Sequence, residues 1–340
     1  MSNESRNMTI LRAGSEHGLI CGFQLAADGS STPIEIDDVP DALAAGERVV
    51  WLHFNASSAA ARRWLGHSGV VSRHFLDLVE QHETRVQFVA TASELAAVIP
   101  DLAFAESVDP SEVVHVWVHA SSRLLVTARN HAAETADLLR QSARGGLGAA
   151  SGQALFARLL EVQGDLLRGW LGRAADELDH AEDQILIGNV MRQREALGRT
   201  RRLAMHMRRN FGPLRAGLQR LLAQPLERRG DIDLDAWRAL HEEIAFTIDE
   251  AAGVYERAKL LQEELSSRLA ESTGQNLFVL TVTTIVFLPM TLLSGIFGMN
   301  VQGVPGVGEQ AAPGAFWWVM LLIVTAGVAT WLLVRVRRRM

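Results

Sequence analysis

Two long stretches without a charged residue constrain this chain more than any other feature. Residues 277–297 read LFVLTVTTIVFLPMTLLSGIF and residues 316–334 read FWWVMLLIVTAGVATWLLV, and neither contains Asp, Glu, Lys, Arg or His. At 1.5 Å per residue the first reaches about 30 Å, the hydrocarbon thickness of a bilayer. Buried core helices rarely run so far without a charge, so two membrane spans are expected. Trp317 and Trp318 stand at one end of the second stretch and Trp331 at the other, where amphipathic rings settle at a lipid–water boundary. Arg335, Arg337, Arg338 and Arg339 follow at once, whereas the linker 298–315 carries only Glu309. The excess of Arg places the C-terminal tail in the cytoplasm, as a basic collar, and the linker outside. Two crossings return the chain, so residues 1–276 are expected in the cytoplasm as well. The first 30 residues hold no apolar run with a cleavage site, so no signal peptide is read there.

The averages conceal this layout. A chain with 48% apolar residues, 21% charged residues and a mean hydropathy of +0.08 would pass for an ordinary globular protein. The 33 basic and 39 acidic residues give a net charge of -6, which argues against nucleic acid as a partner. Four of those basic residues and one acid lie beyond residue 276, leaving 29 basic and 38 acidic residues, net -9, on the cytoplasmic part. The one cysteine, Cys21, excludes an internal disulfide and any multi-cysteine zinc site, and reads as a small buried hydrophobe.

Residues 1–150 read as a mixed α/β region. Segments 19–25, 48–55, 85–90, 94–103, 112–120 and 123–128 have strand composition, and 57–66, 72–82 and 131–142 look helical. The small-residue run RGGLGAASG, residues 144–152, marks a boundary. Two helices follow, 154–188 and 191–223, with a turn at Gly188-Asn189. The first holds seven acids and two Arg within 161–183; the second holds nine Arg and one Glu within 191–220. A hairpin held in register by acid–Arg pairs between these helices is expected, with an anionic-lipid contact of the Arg-rich helix as the other reading. Asp231, Asp233 and Asp235 resemble the start of a calcium loop but lack its Gly and closing Glu, and read instead as a helix N-cap.

From Asp233 no breaker appears until Gly274. Trp237, Ile244, Ala251, Ala258 and Leu265 recur every seven residues, and Glu242, Asp249, Glu256 and Glu263 recur at the same interval on an acidic back. One helix from about 233 to 297 is expected, half in the cytosol and half in the membrane. Two spans cannot enclose a water-filled path, yet the first carries Thr281, Thr283, Thr284, Thr291 and Ser294. In a lone span these hydroxyls would bond their own helix carbonyls. In a ring of copies, Thr284 and Thr291 with Leu277, Leu280 and Leu288 would line a pore in alternating hydroxyl and leucine layers. Leucine layers can gate by dewetting.

Gly298-Met299-Asn300 stands at the outer end of that helix. The segment PMTLLSGIFGMNVQGVPG, residues 289–306, resembles the Gly-Met-Asn signature of CorA-type metal-ion transporters. The setting matches too, with the signature ending the first of two C-terminal spans and a basic tail closing the chain. The loop VQGVPGVGEQ lacks the acid of the magnesium branch, and Phe297 replaces the usual Tyr, so the chain looks most like the zinc-transporter branch of ZntB type.

The resemblance implies a funnel-shaped homopentamer in the bacterial inner (plasma) membrane, multi-pass, with both termini cytoplasmic. It implies an α+β cytoplasmic domain (1–150), a helical hairpin (151–230), a stalk helix (231–276), a pore-lining transmembrane helix 1 (277–297), an outer loop (298–315), a transmembrane helix 2 (316–334) and a basic tail (335–340). The partners are further copies of the chain, membrane lipid and divalent cations: zinc, and cobalt, nickel, cadmium or magnesium as alternatives. Gly298, Met299 and Asn300 would form the outer mouth, with Asn300 amides touching a hydrated ion and Glu309 attracting cations. The acids Glu242, Asp249, Glu256 and Glu263 would concentrate cations in the funnel.

No resident cofactor is implied; zinc or another divalent ion is cargo. Members of the zinc branch use the proton gradient. Neither span here holds a titratable side chain, so coupling would run through pore water, Glu309 or the cytoplasmic acids and histidines. All 11 His lie in 1–276. His115 and His119 would stand roughly 13 Å apart on a strand, too far for one metal, and His241 lacks the second His of a zincin motif. No enzyme motif is present. A magnesium, cobalt or nickel channel of the same fold, or a membrane-tethered sensor or scaffold without transport, remain the other readings.

Overall fold

The computed structural model describes residues 17–103, 113–187, 193–225, 232–298 and 314–337. They fall into two compact units that divide between Gln262 and Glu263. The first unit opens with β1 (Leu19–Leu25), β2 (Ser31–Pro33), α1 (Val39–Ala45), β3 (Val49–Asn55), α2 (Ala59–Ser68) and α3 (Arg73–Glu80). It continues with β4 (Gln87–Ala90), β5 (Glu94–Leu102), β6 (Val113–Ser121), β7 (Leu124–Arg129), α4 (Glu134–Gly146), α5 (Gly152–Leu186) and α6 (Gln193–Leu222). Then α7 runs unbroken from Leu234 to Phe297, across the division between the units, and α8 spans Ala315–Arg337.

The seven strands form one sheet in the order β2-β1-β3-β7-β6-β5-β4, antiparallel throughout except for the parallel pair β3/β7. All six expected strands are present within two residues of their expected ends. The three-residue β2 and the short α1 are additions. Every residue of β7 and all but the last of β3 are buried, because helices cover both faces of the sheet centre. On one face Leu52, Phe54, Val98, Trp117, Val126 and Ala128 form an apolar core with Leu65 of α2 and Phe75 and Val79 of α3. The other face, under α4 and α5, carries a buried polar seam. There Trp51 Nε1 donates to Thr127 Oγ1 at 3.0 Å, and that hydroxyl lies 2.7 Å from His53 Nδ1. Asp101 accepts from Thr135 Oγ1 at 2.5 Å and from Leu102 N at 2.8 Å, and Asp137 of α4 pairs with Arg140 at 2.9 Å and Arg129 at 3.5 Å. These contacts partner polar groups that burial would otherwise penalise, although His53 Nε2 and the Nε atoms of Arg129 and Arg140 have no hydrogen-bond partner among the described residues.

The helix starts follow local chemistry. Ser58, Ser72 and Ser151 accept from the backbone amides of Ala61, Phe75 and Ala154 and so cap α2, α3 and α5. Gly152 follows the Ser151 cap where the chain crosses close to β7: a Cβ there would sit 2.3 Å from the Leu124 carbonyl, so only glycine fits. Asp233 caps α7, accepting from Asp235 N at 3.1 Å and Ala236 N at 3.2 Å, as the N-cap reading of the Asp run expects. Asp231 and the Gly188-Asn189 turn lie outside the described residues.

Trp237, Ile244, Ala251, Ala258 and Leu265 are all buried, as the seven-residue spacing requires. Trp237 meets Phe156 of α5 edge-on at 5.6 Å, and Phe156 stacks on Phe88 of β4 at 6.2 Å. This aromatic ladder ties α7 to the sheet edge through α5.

The ion pairs differ from the expected hairpin. Arg257 of α7 binds Asp179 at 2.6 Å and Glu182 at 2.5 Å on α5, and Arg168 of α5 pairs with Glu243 of α7. Arg215 of α6 reaches Asp249 of α7 at 2.8 Å. Thus the cross-helix ion pairs of the described residues run to α7, while α5 and α6 share the hydrogen bond from Thr200 Oγ1 to Glu177 at 3.1 Å. Charge segregation correctly marks the helices as neighbours. Helix rotation decides which arms meet, and α7 receives both.

Candidate cation path

The membrane half of α7 differs from its N-terminal half in one decisive respect. None of its 18-residue apolar stretch is buried within the chain, and only 6% of Phe316–Leu333 in α8 is. A soluble core helix would be buried. These two are apolar, long and uncovered, which is the signature of helices whose solvent is lipid or further protein.

On α7 the expected pore residues Leu277, Leu280, Thr284, Leu288 and Thr291 fall within about a quarter of the circumference at 100° per residue. All five are exposed. The hydroxyls of Thr281, Thr283, Thr284 and Thr291 each donate to the carbonyl four residues back, at 2.7–2.9 Å. Each hydrogen is thereby used within the helix, and each oxygen keeps lone pairs available to a cation or a water. The helix continues through Pro289. Gly327 of α8 allows a close approach: a Cβ there would lie 2.7 Å from Met290 Sδ of α7, the small-residue contact common between membrane helices.

Gly298 closes α7, its amide bonded to the Ser294 carbonyl at 2.9 Å. It is exposed, on the same quarter of the helix as Thr291. Met299, Asn300 and Glu309 lie outside the described residues, as do Arg338 and Arg339. Arg335 lies on α8 with its guanidinium 5.0 Å from the Trp331 ring, and the backbone of Arg337 ends that helix.

On the N-terminal half, Glu242, Asp249, Glu256 and Glu263 are all exposed. Asp249 is bound by Arg215 and Glu256 lies 3.9 Å from Lys259, so part of the acidic face is neutralised locally. Between these acids stand two exposed large hydrophobics, Phe246 at 65% and Leu260 at 62%. The sequence reading missed them because it grouped the acids alone. The signal was the alternating step of four and three residues: 242, 246, 249, 253, 256, 260, 263. That is a second heptad stripe, mixed acid and apolar, on the side of the helix away from the buried seam.

The histidines do not assemble into a metal site; among the described residues no group of three or more His, Cys, Asp or Glu could hold an ion. His115 and His119 both lie on β6, as expected. Burial pushes His119 down to about 4, and its Nδ1 accepts from Ser72 N at 3.4 Å. Burial raises the Cys21 thiol to about 12, so it is no thiolate ligand, though Cys21 is part-exposed rather than fully enclosed.

These features define a membrane protein with two spanning helices and a mixed-sheet domain that continues into them through one helix. A family model described as "CorA-like Mg2+ transporter protein" matches residues 46–338, and the chain belongs to that family of divalent-cation transporters. The divalent cation transporter CmaX of Pseudomonas aeruginosa is 27% identical over 97% of this chain and 99% of its own length. The zinc transport protein ZntB of Yersinia enterocolitica is 23% identical over 92% of this chain and 94% of its own. The solved structure of full-length CmaX superposes with a TM-score of 0.79 at 25% identity, covering 96% of this chain and all of that one. The CorA magnesium transporter of Methanocaldococcus jannaschii shares the fold, with a TM-score of 0.69 at 17% identity over 91% of this chain and 96% of that one.

Proposed function

We propose that this transporter works as a homopentamer in the bacterial inner membrane and takes up divalent metal, zinc foremost, through a pore lined by the membrane half of α7. Both termini lie in the cytoplasm in this reading. The observation that carries it is the exposed face of Leu277, Leu280, Thr284, Leu288 and Thr291, whose hydroxyl hydrogens are used internally and whose oxygens remain free. Five such faces would alternate neutral oxygens with leucine layers. Neutral oxygens suit a hydrated ion, since small divalent cations release water reluctantly. The mixed stripe of Phe246 and Leu260 among acids gives the cytosolic half an apolar contact for neighbouring copies and leaves carboxylates to draw cations inward.

Zinc is favoured by the ZntB likeness and by the outer loop, which carries Glu309 alone where the magnesium branch has an acid close to the signature. A magnesium, cobalt or nickel channel is the competing reading. Asn300 would hold the hydrated ion at the mouth. The test is metal uptake by purified protein in liposomes. Asn300→Ala is expected to abolish uptake while the assembly stays intact by size-exclusion chromatography; normal uptake by an intact variant refutes the role of Asn300. Zinc flux above magnesium flux supports the zinc reading, and the reverse order overturns it. An inward pH gradient that leaves zinc uptake unchanged dismisses proton coupling.

A further inference from the structure

A cavity of about 560 Å³ opens in the first unit between α6 and the sheet, and no residue of the cation path lines it. Its chemistry runs opposite to that of its surroundings. The cytoplasmic part carries net -9, yet this cavity is lined by Arg85, Arg209 and Arg220, with His115, His206 and Asn210, and no carboxylate lines it among the described residues. None of the three guanidiniums has an ion-pair partner among the described residues, whereas Arg168, Arg215 and Arg257, on α5, α6 and α7, are all paired; Arg209 Nε donates to Asn210 Oδ1 at 3.5 Å. His206 Nδ1 is buried and has no hydrogen-bond partner. Glu83 is the carboxylate felt by His115, and its Oε1 accepts from the backbone amide of Arg85 at 2.7 Å.

The arrangement follows from two elements. On α6, His206, Arg209, Asn210, Pro213, Ala216 and Arg220 recur at three- and four-residue steps, so they share one face. That face can lie close to the sheet because Gly217 admits the Phe88 ring: a Cβ there would be 2.7 Å from it. Opposite stand the segment before β4, with Arg85 and Val86, and the start of β6, with Val113 and His115. Three guanidiniums without an ion-pair partner among the described residues line one cavity, a setting that favours an anion shared between them. Arg forks match phosphate oxygens in geometry as well as charge. The volume far exceeds an inorganic phosphate and lies in the ordinary range for small-molecule sites. Val86, Val113, Pro213 and Ala216 supply an apolar wall for the rest of such a ligand.

We propose that this cavity binds a phosphorylated organic anion of nucleotide size, with Arg209, Arg220 and Arg85 on the phosphate and the apolar wall against its ring. The chain has no phosphate-binding glycine loop; side-chain cations take that role here. The site shares no lining residue with the proposed transport path.

The test uses full-length protein in detergent, free of divalent metal, with AMP, ATP and inorganic phosphate as probes in titration calorimetry. Saturable binding of AMP or ATP is expected, at least tenfold tighter than inorganic phosphate. Arg209→Ala and Arg220→Ala are expected to weaken it tenfold or more while the assembly elutes unchanged. Arg208→Ala removes the same charge from an exposed position of α6 outside the cavity and is expected to leave binding within twofold. No saturable binding of either nucleotide overturns the proposal. So does equal loss in Arg208→Ala, which would show general charge attraction, or nucleotide binding that ignores Arg209 and Arg220. Binding of inorganic phosphate as tight as AMP overturns the organic part of the ligand. Should an alanine variant fail to assemble, Arg220→Lys keeps the charge without the fork and is expected to retain weakened binding.

Discussion

The two halves of α7 have the same helical geometry and opposite surroundings. From Trp237 to Ala258 every seventh residue is buried, and Asp249 and Arg257 are tied to α6 and α5. From Leu277 to Leu292 the large apolar side chains stand uncovered. A single helix can meet both conditions only if its solvent changes along its length. The N-terminal half is stabilised by packing inside its own chain. The membrane half, beside the approach of Gly327 to Met290, leaves most of its large apolar side chains exposed, and in the proposed assembly it depends on lipid and on other copies.

That comparison can be broken at several points. The largest effect belongs to the buried seam of the N-terminal half: Trp237→Ala removes a fully buried ring and its contact with Phe156. It is expected to cost about 4 kcal/mol of stability, read as a fall in thermal midpoint, while membrane insertion persists. A charge in the other half should do the opposite. Leu288→Arg is expected to disfavour insertion by about 3 kcal/mol, read as loss of protein from the membrane fraction. Leu260→Arg, on the exposed stripe of the N-terminal half, should leave insertion unchanged. If both variants insert equally, the division of α7 between two solvents is wrong.

A smaller effect comes from pH. The unfolded chain protonates His119 as pH falls through about 6.5, but burial holds the folded group down to about 4. No stability is lost to this group above pH 6.5, and stability falls as pH drops from there toward 4. The expected loss between pH 7 and pH 5 is about 2 kcal/mol. His119→Gln should flatten that dependence in the thermal midpoint. The smallest effect is at the surface: Arg257 is half exposed, so Arg257→Ala is expected to cost about 1 kcal/mol or less despite its two carboxylate partners.

How much of this was legible in the sequence depends on the range of the interaction. Strand alternation, the Asp233 cap and the Trp237–Leu265 spacing are local patterns, and they placed the elements to within a few residues. β2 escaped because Ser31–Pro33 is too short to show a period, and its Pro argues against a strand. The partners of Arg215, Asp179 and Glu182 were misjudged because composition identifies charged faces but not helix rotation. The basic cavity was invisible for a related reason: Arg85, His115 and Arg209 come from three distant segments that only the fold brings together. The face proposed to line the pore was legible in part, since Thr284 and Thr291 declare a face of α7, while the exposed Phe246 and Leu260 were hidden among the acids.

The central claim is that the membrane half of α7 lines the metal path and α8 does not. Its most direct test exploits the single cysteine. In a Cys21→Ser background, cysteine is placed at Thr284 or at Val324, and zinc flux into liposomes is measured before and after a small water-soluble thiol reagent. Block of Thr284→Cys with no effect on Val324→Cys is the predicted result. Block at Val324 with Thr284 untouched would contradict the account.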